Sequence, residues 1–188
     1  MTEGQPALGA TRGLCQPAWV EFESADLERV FRDCFYVEYR TVLVGGGEEP
    51  LYLPSPNPTE RLHRIVYRED YCASALHEVA HWCLAGVDRR RLEDYGYWYA
   101  PDGRSAAEQS AFEQAEARPQ ALERILTEVC GFEFNMSADN LESGVGPSPN
   151  FARAVERERD RILESGLPDR AERFRAALAA HSSGRTIA

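Results

Sequence analysis

The 188-residue sequence contains no lysine, and all 21 of its basic residues are arginines. The absence of lysine excludes any reaction that runs through a Schiff base on a lysine of this protein. Its net charge of −10 excludes general binding to nucleic-acid phosphates, which requires a basic surface. The sequence also lacks an apolar run of about 18 residues, so we expect no membrane-spanning helix.

Paired cysteine motifs are missing as well. The five cysteines are an odd number without CxxC spacing, a pattern typical of buried thiols in a reducing compartment and not of a disulfide framework. The first 17 residues have neither a basic segment nor an apolar one, so they do not predict a secretory signal. From these absences we expect a cytoplasmic protein.

The length and composition predict one domain with its own hydrophobic core. We expect a disordered lead over residues 1–18, which are rich in glycine, proline, threonine and alanine, a single domain over 19–181 and a flexible tail over 182–188. The hydrophobic pattern predicts a helix-rich α+β fold with a small antiparallel sheet ahead of a zincin-like metal-bearing helix.

The expected helices and strands follow from hydrophobic spacing, turn residues and caps. Besides the histidine helix, the sequence predicts helices at about 24–36, 105–130, 151–164 and 169–180. Strands are predicted at 41–44, 51–53 and 64–67, the first of them closed by the glycines that follow it. Proline 119 is expected to kink or restart the third helix.

The central motif is His77-Glu78-Val79-Ala80-His81. Two histidines four residues apart on a helix project from one face, so their imidazoles can converge on a single metal ion. The alternative is a chance match, with both histidines solvated or hydrogen-bonded in the core. We favour the metal site because the chain has only four histidines in all.

A third ligand is expected from a later helix, where Glu113 and Glu116 are three residues apart and share a face. We favour Glu116, because the alanines on either side of it allow two helices to approach closely. Glu113 would then orient one of the histidines by accepting a hydrogen bond from the ring nitrogen that does not bind the metal. The alternative for both glutamates is a solvated acidic face.

Two histidines and a glutamate leave the chemistry open. The set fits the zinc of helix-borne metallopeptidases, in which Glu78 would be the general base to a metal-bound water. It equally fits the two-histidine, one-carboxylate face of Fe(II) oxygenases. A third possibility is a structural metal whose remaining position is closed by a protein side chain.

The aromatic stretch after the histidine helix is a candidate substrate-binding wall. Tyr97 and Trp98, with Asp102 nearby, could hold an elongated cation through ring faces and a carboxylate. The alternative is a strand that buries Trp98 in the core.

Taken together, these segments resemble the bacterial elongation factor P hydroxylase family. The similarity covers about residues 25–145 well and the C-terminal helices loosely. The matching segments are Leu51-Tyr52-Leu53-Pro54, Arg64-Ile65-Val66, Ala73-Ser74-Ala75, His77-Glu78, His81-Trp82-Cys83, Gly96-Tyr97-Trp98-Tyr99, Pro101-Asp102-Gly103-Arg104, Phe112-Glu113, Glu116, Pro119-Gln120-Ala121-Leu122 and Asp139-Asn140-Leu141-Glu142.

The resemblance implies a non-haem metal hydroxylase whose protein substrate is elongation factor P. It implies hydroxylation of the lysine side chain that already carries a β-lysyl group, with Fe(II) as the metal and dioxygen as co-substrate. His77, His81 and Glu116 match the family's two-histidine, one-carboxylate set. Glu78 would then manage protons at the site instead of activating water for peptide hydrolysis. No pattern in the sequence indicates 2-oxoglutarate.

Overall fold

The computed structural model describes residues 22–96, 104–137 and 146–184, and it has the predicted helix-rich α+β architecture. Two short 3₁₀ turns, Arg89–Arg91 and Glu93–Gly96, follow the histidine helix. The helices and strands, in chain order, are α1 (Ser24–Tyr39), β1 (Thr41–Gly47), β2 (Leu51–Leu53), β3 (His63–Arg68), α2 (Cys72–Leu84), α3 (Ala106–Cys130), α4 (Pro149–Ser165) and α5 (Asp169–Ser182). Helix α2 carries the histidine pair. Among the described helices, none combines the length and apolarity needed to cross a bilayer.

The sheet is mixed, and the expectation of a purely antiparallel sheet is wrong for one of its two pairings. The strand order is β1-β3-β2, with β1 parallel and β2 antiparallel to β3. The register places Leu43 and Tyr52 on either side of Ile65, and all three side chains are buried. Burying these neighbours on one face outweighs the general preference for pairing strands that are adjacent in sequence.

Strand β1 continues through the glycines that were expected to end it. The reason is close packing between strands: a Cβ atom on Gly45 would lie 2.7 Å from the Tyr67 hydroxyl and 2.8 Å from the Glu69 carbonyl oxygen. The pairing with β3 also shifts register between Val44 and Gly47. Glycine is therefore required here for the approach of two backbones and does not act as a strand stop.

Trp82 anchors helix α2 in the core. Its indole is fully buried, and its ring centroid lies 4.8 Å from that of Phe35 and 5.2 Å from that of Phe31. On the other side, the Arg170 guanidinium of α5 lies 4.7 Å from the indole centroid. Arg170 also donates hydrogen bonds to the Cys83 and Ala85 carbonyl oxygens, which have no partner within the helix. Helix α2 is thereby fixed between α1 and α5.

Helix α3 begins where it was predicted, with a capping box in which Ser105 and Glu108 each accept a hydrogen bond from the other's backbone amide. The helix does not restart at Pro119, because it is continuous from Ala106 to Cys130. Pro119 is buried, as are Gln120 and Leu122 after it. Tertiary packing of this face offsets the one hydrogen bond that proline removes.

The thiols of the described residues are free, as predicted. Cys34, Cys83 and Cys130 are buried and Cys72 is partly exposed. Burial raises the pKa of each of these four thiols. They therefore remain protonated and serve as small apolar groups.

Candidate metal centre

The candidate metal centre lies between two packed helices. Helix α2 supplies His77 and His81, one turn apart on one face. Helix α3 supplies Glu116 from its buried side. The small residues Ala80 and Ala117, both buried, leave room for the two helices to approach.

The three side chains converge as the sequence predicts. The Nε2 atoms of His77 and His81 are 3.1 Å apart. The Glu116 carboxylate places Oε1 3.3 Å from the His81 Nε2 and Oε2 3.5 Å from the His77 Nε2. Side-chain exposure falls from 26% for His77 to 10% for His81 and 3% for Glu116. One donor atom from each residue can thus face a common point that is largely shielded from solvent.

These separations fit a transition-metal ion. Ligand atoms about 2.1 Å from one ion, at angles of about 90–110°, lie roughly 3.0–3.4 Å apart. The two imidazole nitrogens are 3.1 Å apart, and each lies 3.3 or 3.5 Å from one of the two Glu116 oxygens, so the separations are in or near this range. Two imidazoles and one carboxylate are donors that suit zinc, iron and related metals and not calcium or magnesium.

The orientation of His77 is set by a glutamate that the sequence analysis did not select. The His77 Nδ1 lies 2.8 Å from the Glu123 Oε2. Because a carboxylate only accepts, Nδ1 carries a proton, and Nε2 is the nitrogen that a metal ion would bind. Glu123 is 7% exposed and lies two turns after Glu116 on the same helix. A carboxylate within the apolar run around Leu122 and Ile125 was the signal that could have identified it.

The electrostatics of the centre favour a cation. Burial opposes protonation of His77, but the carboxylates of Glu123 and Glu116 outweigh this and raise its pKa to about 10. Burial raises the pKa of Glu78, an effect that the two histidines oppose and that Glu116 reinforces. Three glutamates therefore create a negative potential around the two imidazoles. A divalent cation bound there would offset the mutual repulsion of the glutamate carboxylates.

Glu78 lies beside the ligand set without belonging to it. Its side chain is partly exposed, and its carboxylate forms no hydrogen bond with any residue in the described ranges. Because Glu78 follows His77 directly on α2, it projects from a neighbouring face of the helix. It is therefore free to contact a molecule bound at the centre.

Glu113 contacts a different part of the molecule. Its carboxylate accepts hydrogen bonds from the Ser148 backbone amide, at 3.3 Å, and from the Ser148 hydroxyl, at 2.6 Å. Ser148 in turn caps α4 by accepting from the Phe151 amide. The contact with a histidine that we had considered for Glu113 is made by Glu123.

The candidate substrate wall lies outside the described residues, since Tyr97, Trp98 and Asp102 fall between the described ranges. The other two histidines are apart from the centre. His63 accepts a hydrogen bond at Nδ1 from the Ser55 amide. His181 belongs to α5 and packs on Phe22, at 4.8 Å between ring centroids.

We expect Glu123→Ala to weaken metal binding by roughly 10- to 100-fold, because His77 loses the acceptor that fixes its ring and tautomer. Glu123→Gln retains an acceptor oxygen and should lose less affinity. Competition with a chromophoric chelator for Co²⁺ or Zn²⁺ measures the difference. Equal affinities for Glu123→Ala and the unmodified protein would show that the contact has no orienting role.

Comparison with known proteins agrees with this geometry. The model of a family described as elongation factor P hydroxylase matches residues 30–187. The chain is also 47% identical over 164 residues to a Haemophilus influenzae protein named elongation factor P lysine hydroxylase. The aligned region spans 87% of this chain and 92% of that relative. This chain therefore belongs to the elongation factor P hydroxylase family.

Proposed function

We propose that this protein hydroxylates a lysine side chain of elongation factor P, and that the side chain already carries a β-lysyl group. Family membership supports the reaction and the protein substrate. The observation that carries the assignment to a site is the convergence of His77, His81 and Glu116 at one point. As an enzyme acting on a translation factor, it would work in the cytoplasm.

The three converging residues would hold Fe(II). Two imidazoles and one carboxylate occupy one face of a six-coordinate ion and leave positions for exogenous ligands. Bound there, Fe(II) would supply the activation of dioxygen that hydroxylation of an unactivated C–H bond requires. The donor set supports this assignment, and metal analysis of protein purified without oxygen would test it.

The remaining roles belong to residues of the chain. Glu123, hydrogen-bonded to the Nδ1 of His77, would hold that imidazole with its Nε2 available as a ligand. The burial of Glu116 and His81 keeps bulk water from the ligands. Glu78, next to both imidazoles, would take up or deliver a proton at its carboxylate as the reaction proceeds. Tyr97, Trp98 and Asp102 remain our candidates for contacts with the cationic side chain.

A zinc peptidase could use the same ligands, with Glu78 as the base for water. Family membership favours the hydroxylase, since the matching family model covers the chain from residue 30 almost to its end. The two activities also differ in their products. Hydroxylation adds one oxygen atom to the substrate, whereas peptide hydrolysis divides it into two chains.

Mass spectrometry of elongation factor P tests the proposal directly. The factor isolated from cells that lack this protein should be lighter by the mass of one oxygen atom at its modified lysine. Restoring the unmodified gene should restore that mass, and restoring a His77→Ala variant should not. An unchanged mass in the deletion strain would refute the proposed function.

A further inference from the structure

Tyr95 lies against the metal centre and is not part of either helix that supplies ligands. Its ring stacks almost parallel to the His81 imidazole, with 6.3 Å between centroids and 8° between planes. It also stacks on the Tyr52 ring, with 4.5 Å between centroids and 13° between planes. Tyr52 is fully buried, with its hydroxyl donating to the Arg90 carbonyl oxygen. The candidate ligand His81 thus lies beside the Tyr95 ring, which Tyr52 holds in place.

The backbone that presents Tyr95 is strained. Asp94 and Tyr95 both have positive φ, at 45° and 59°, a region that residues other than glycine rarely adopt. The Tyr52 amide donates a hydrogen bond of 2.8 Å to the Asp94 carboxylate and so holds this turn against β2. Two consecutive strained residues destabilise the fold, so the position of Tyr95 is not explained by stability.

The Tyr95 hydroxyl gives a second, independent indication. It is buried, and no residue within the described ranges accepts or donates a hydrogen bond to it. A buried phenol normally has a partner, because leaving a polar group unpaired is unfavourable. Burial raises the pKa of this phenol and the charge of Glu78 raises it further. A phenol is protonated at neutral pH in any case, so this hydroxyl, close to Glu78, can donate a hydrogen bond.

We propose that Tyr95 is an active-site residue with two roles. Its ring positions the His81 imidazole, and its hydroxyl donates a hydrogen bond to an acceptor on the bound substrate side chain. The first role parallels that of Glu123, which fixes His77 by a hydrogen bond where Tyr95 fixes His81 by stacking. The second role rests on the proposed function, since it requires the substrate to occupy the space next to Glu78.

Two substitutions separate the ring from the hydroxyl. Tyr95→Phe keeps the stack, so the visible spectrum of the Co²⁺-loaded protein should not change. Its melting temperature should be equal or higher, because only an unpaired group is removed. Its kcat/KM toward elongation factor P should fall by about tenfold. Tyr95→Leu removes the stack and should alter the Co²⁺ spectrum and weaken Co²⁺ binding by about tenfold or more.

Tyr67→Phe is the matched control. The Tyr67 side chain is equally buried, but its hydroxyl donates to Glu28 at 2.8 Å, away from the centre. This variant should lose thermal stability and keep its Co²⁺ spectrum and kcat/KM. The control gives the change in melting temperature that follows from losing a hydroxyl with a purely structural role.

Each of three results would overturn one part of the proposal. Unchanged turnover in Tyr95→Phe would exclude a role for the hydroxyl. An unchanged Co²⁺ spectrum and affinity in Tyr95→Leu would exclude positioning by the ring. A fall in melting temperature for Tyr95→Phe as large as that for Tyr67→Phe would show that the hydroxyl is bonded within the fold. Failure of the unmodified protein to hydroxylate elongation factor P would refute the proposed function, while the Co²⁺ spectra would still decide the role of the ring.

Discussion

Replacing Glu116 by glutamine is expected to abolish hydroxylation and to release the metal. The amide retains the size of the side chain but not its charge, and an amide is a poor ligand for a transition metal. We expect metal affinity to fall by more than the roughly 10- to 100-fold typical of residues that only orient a ligand. Metal content after desalting and the mass of elongation factor P measure the two effects.

Glu113→Gln is the matched control for that result. Glu113 lies on the same helix, one turn earlier, and its carboxylate contacts Ser148 at the start of α4. This variant should retain its metal and its activity, with at most a modest loss of stability from a weakened helix cap. If Glu113→Gln loses the metal while Glu116→Gln keeps it, our choice of ligand is wrong.

Replacing Glu78 by glutamine should separate metal binding from turnover. Its carboxylate is not among the converging donor atoms, so metal content should equal that of the unmodified protein. Turnover should fall by roughly 100-fold or more, because an amide cannot take up and return a proton. Metal analysis and single-turnover hydroxylation of elongation factor P give the two values on the same preparation.

Asp70→Asn controls for the loss of one negative charge near α2. Asp70 is exposed and lies just before the helix begins at Cys72. It should leave both metal content and turnover unchanged. Full turnover in Glu78→Gln would mean that protons at this site are handled by another group or by water.

The elements that the sequence predicted well are those with local signals. Hydrophobic spacing predicted a helix at about 24–36, and α1 buries Leu27, Phe31 and Phe35. The helix predicted to begin at residue 105 begins at Ala106, after the capping residue Ser105. The spacing of His77 and His81 placed both imidazoles on one face of a helix, and the alanines beside Glu116 favoured it over Glu113 as third ligand; these three side chains do lie close together.

What the sequence did not predict depends on contacts between distant segments. The parallel pairing of β1 with β3 is decided by which buried residues lie side by side, and no turn residue encodes it. The apolar neighbours of Glu123 indicate burial, but its contact with His77, at 2.8 Å, exists only once α3 packs against α2. Tyr95 is one tyrosine within an aromatic stretch until its strained turn places it on His81. Each of these features belongs to tertiary packing.

The hydrogen bonds from Arg170 to the end of α2 have a consequence for how the protein is made. The residues of α2 leave the ribosome long before those of α5. Arg170 of α5, which provides this guanidinium, follows about 85 residues later in the chain. Until then the Cys83 carbonyl oxygen lacks this donor, the Ala85 carbonyl oxygen has only its hydrogen bond from Arg90, and Trp82 lacks one of its neighbours. The candidate metal centre should therefore form only after the finished polypeptide is released, and a chain truncated before α5 should bind metal more weakly than the full chain.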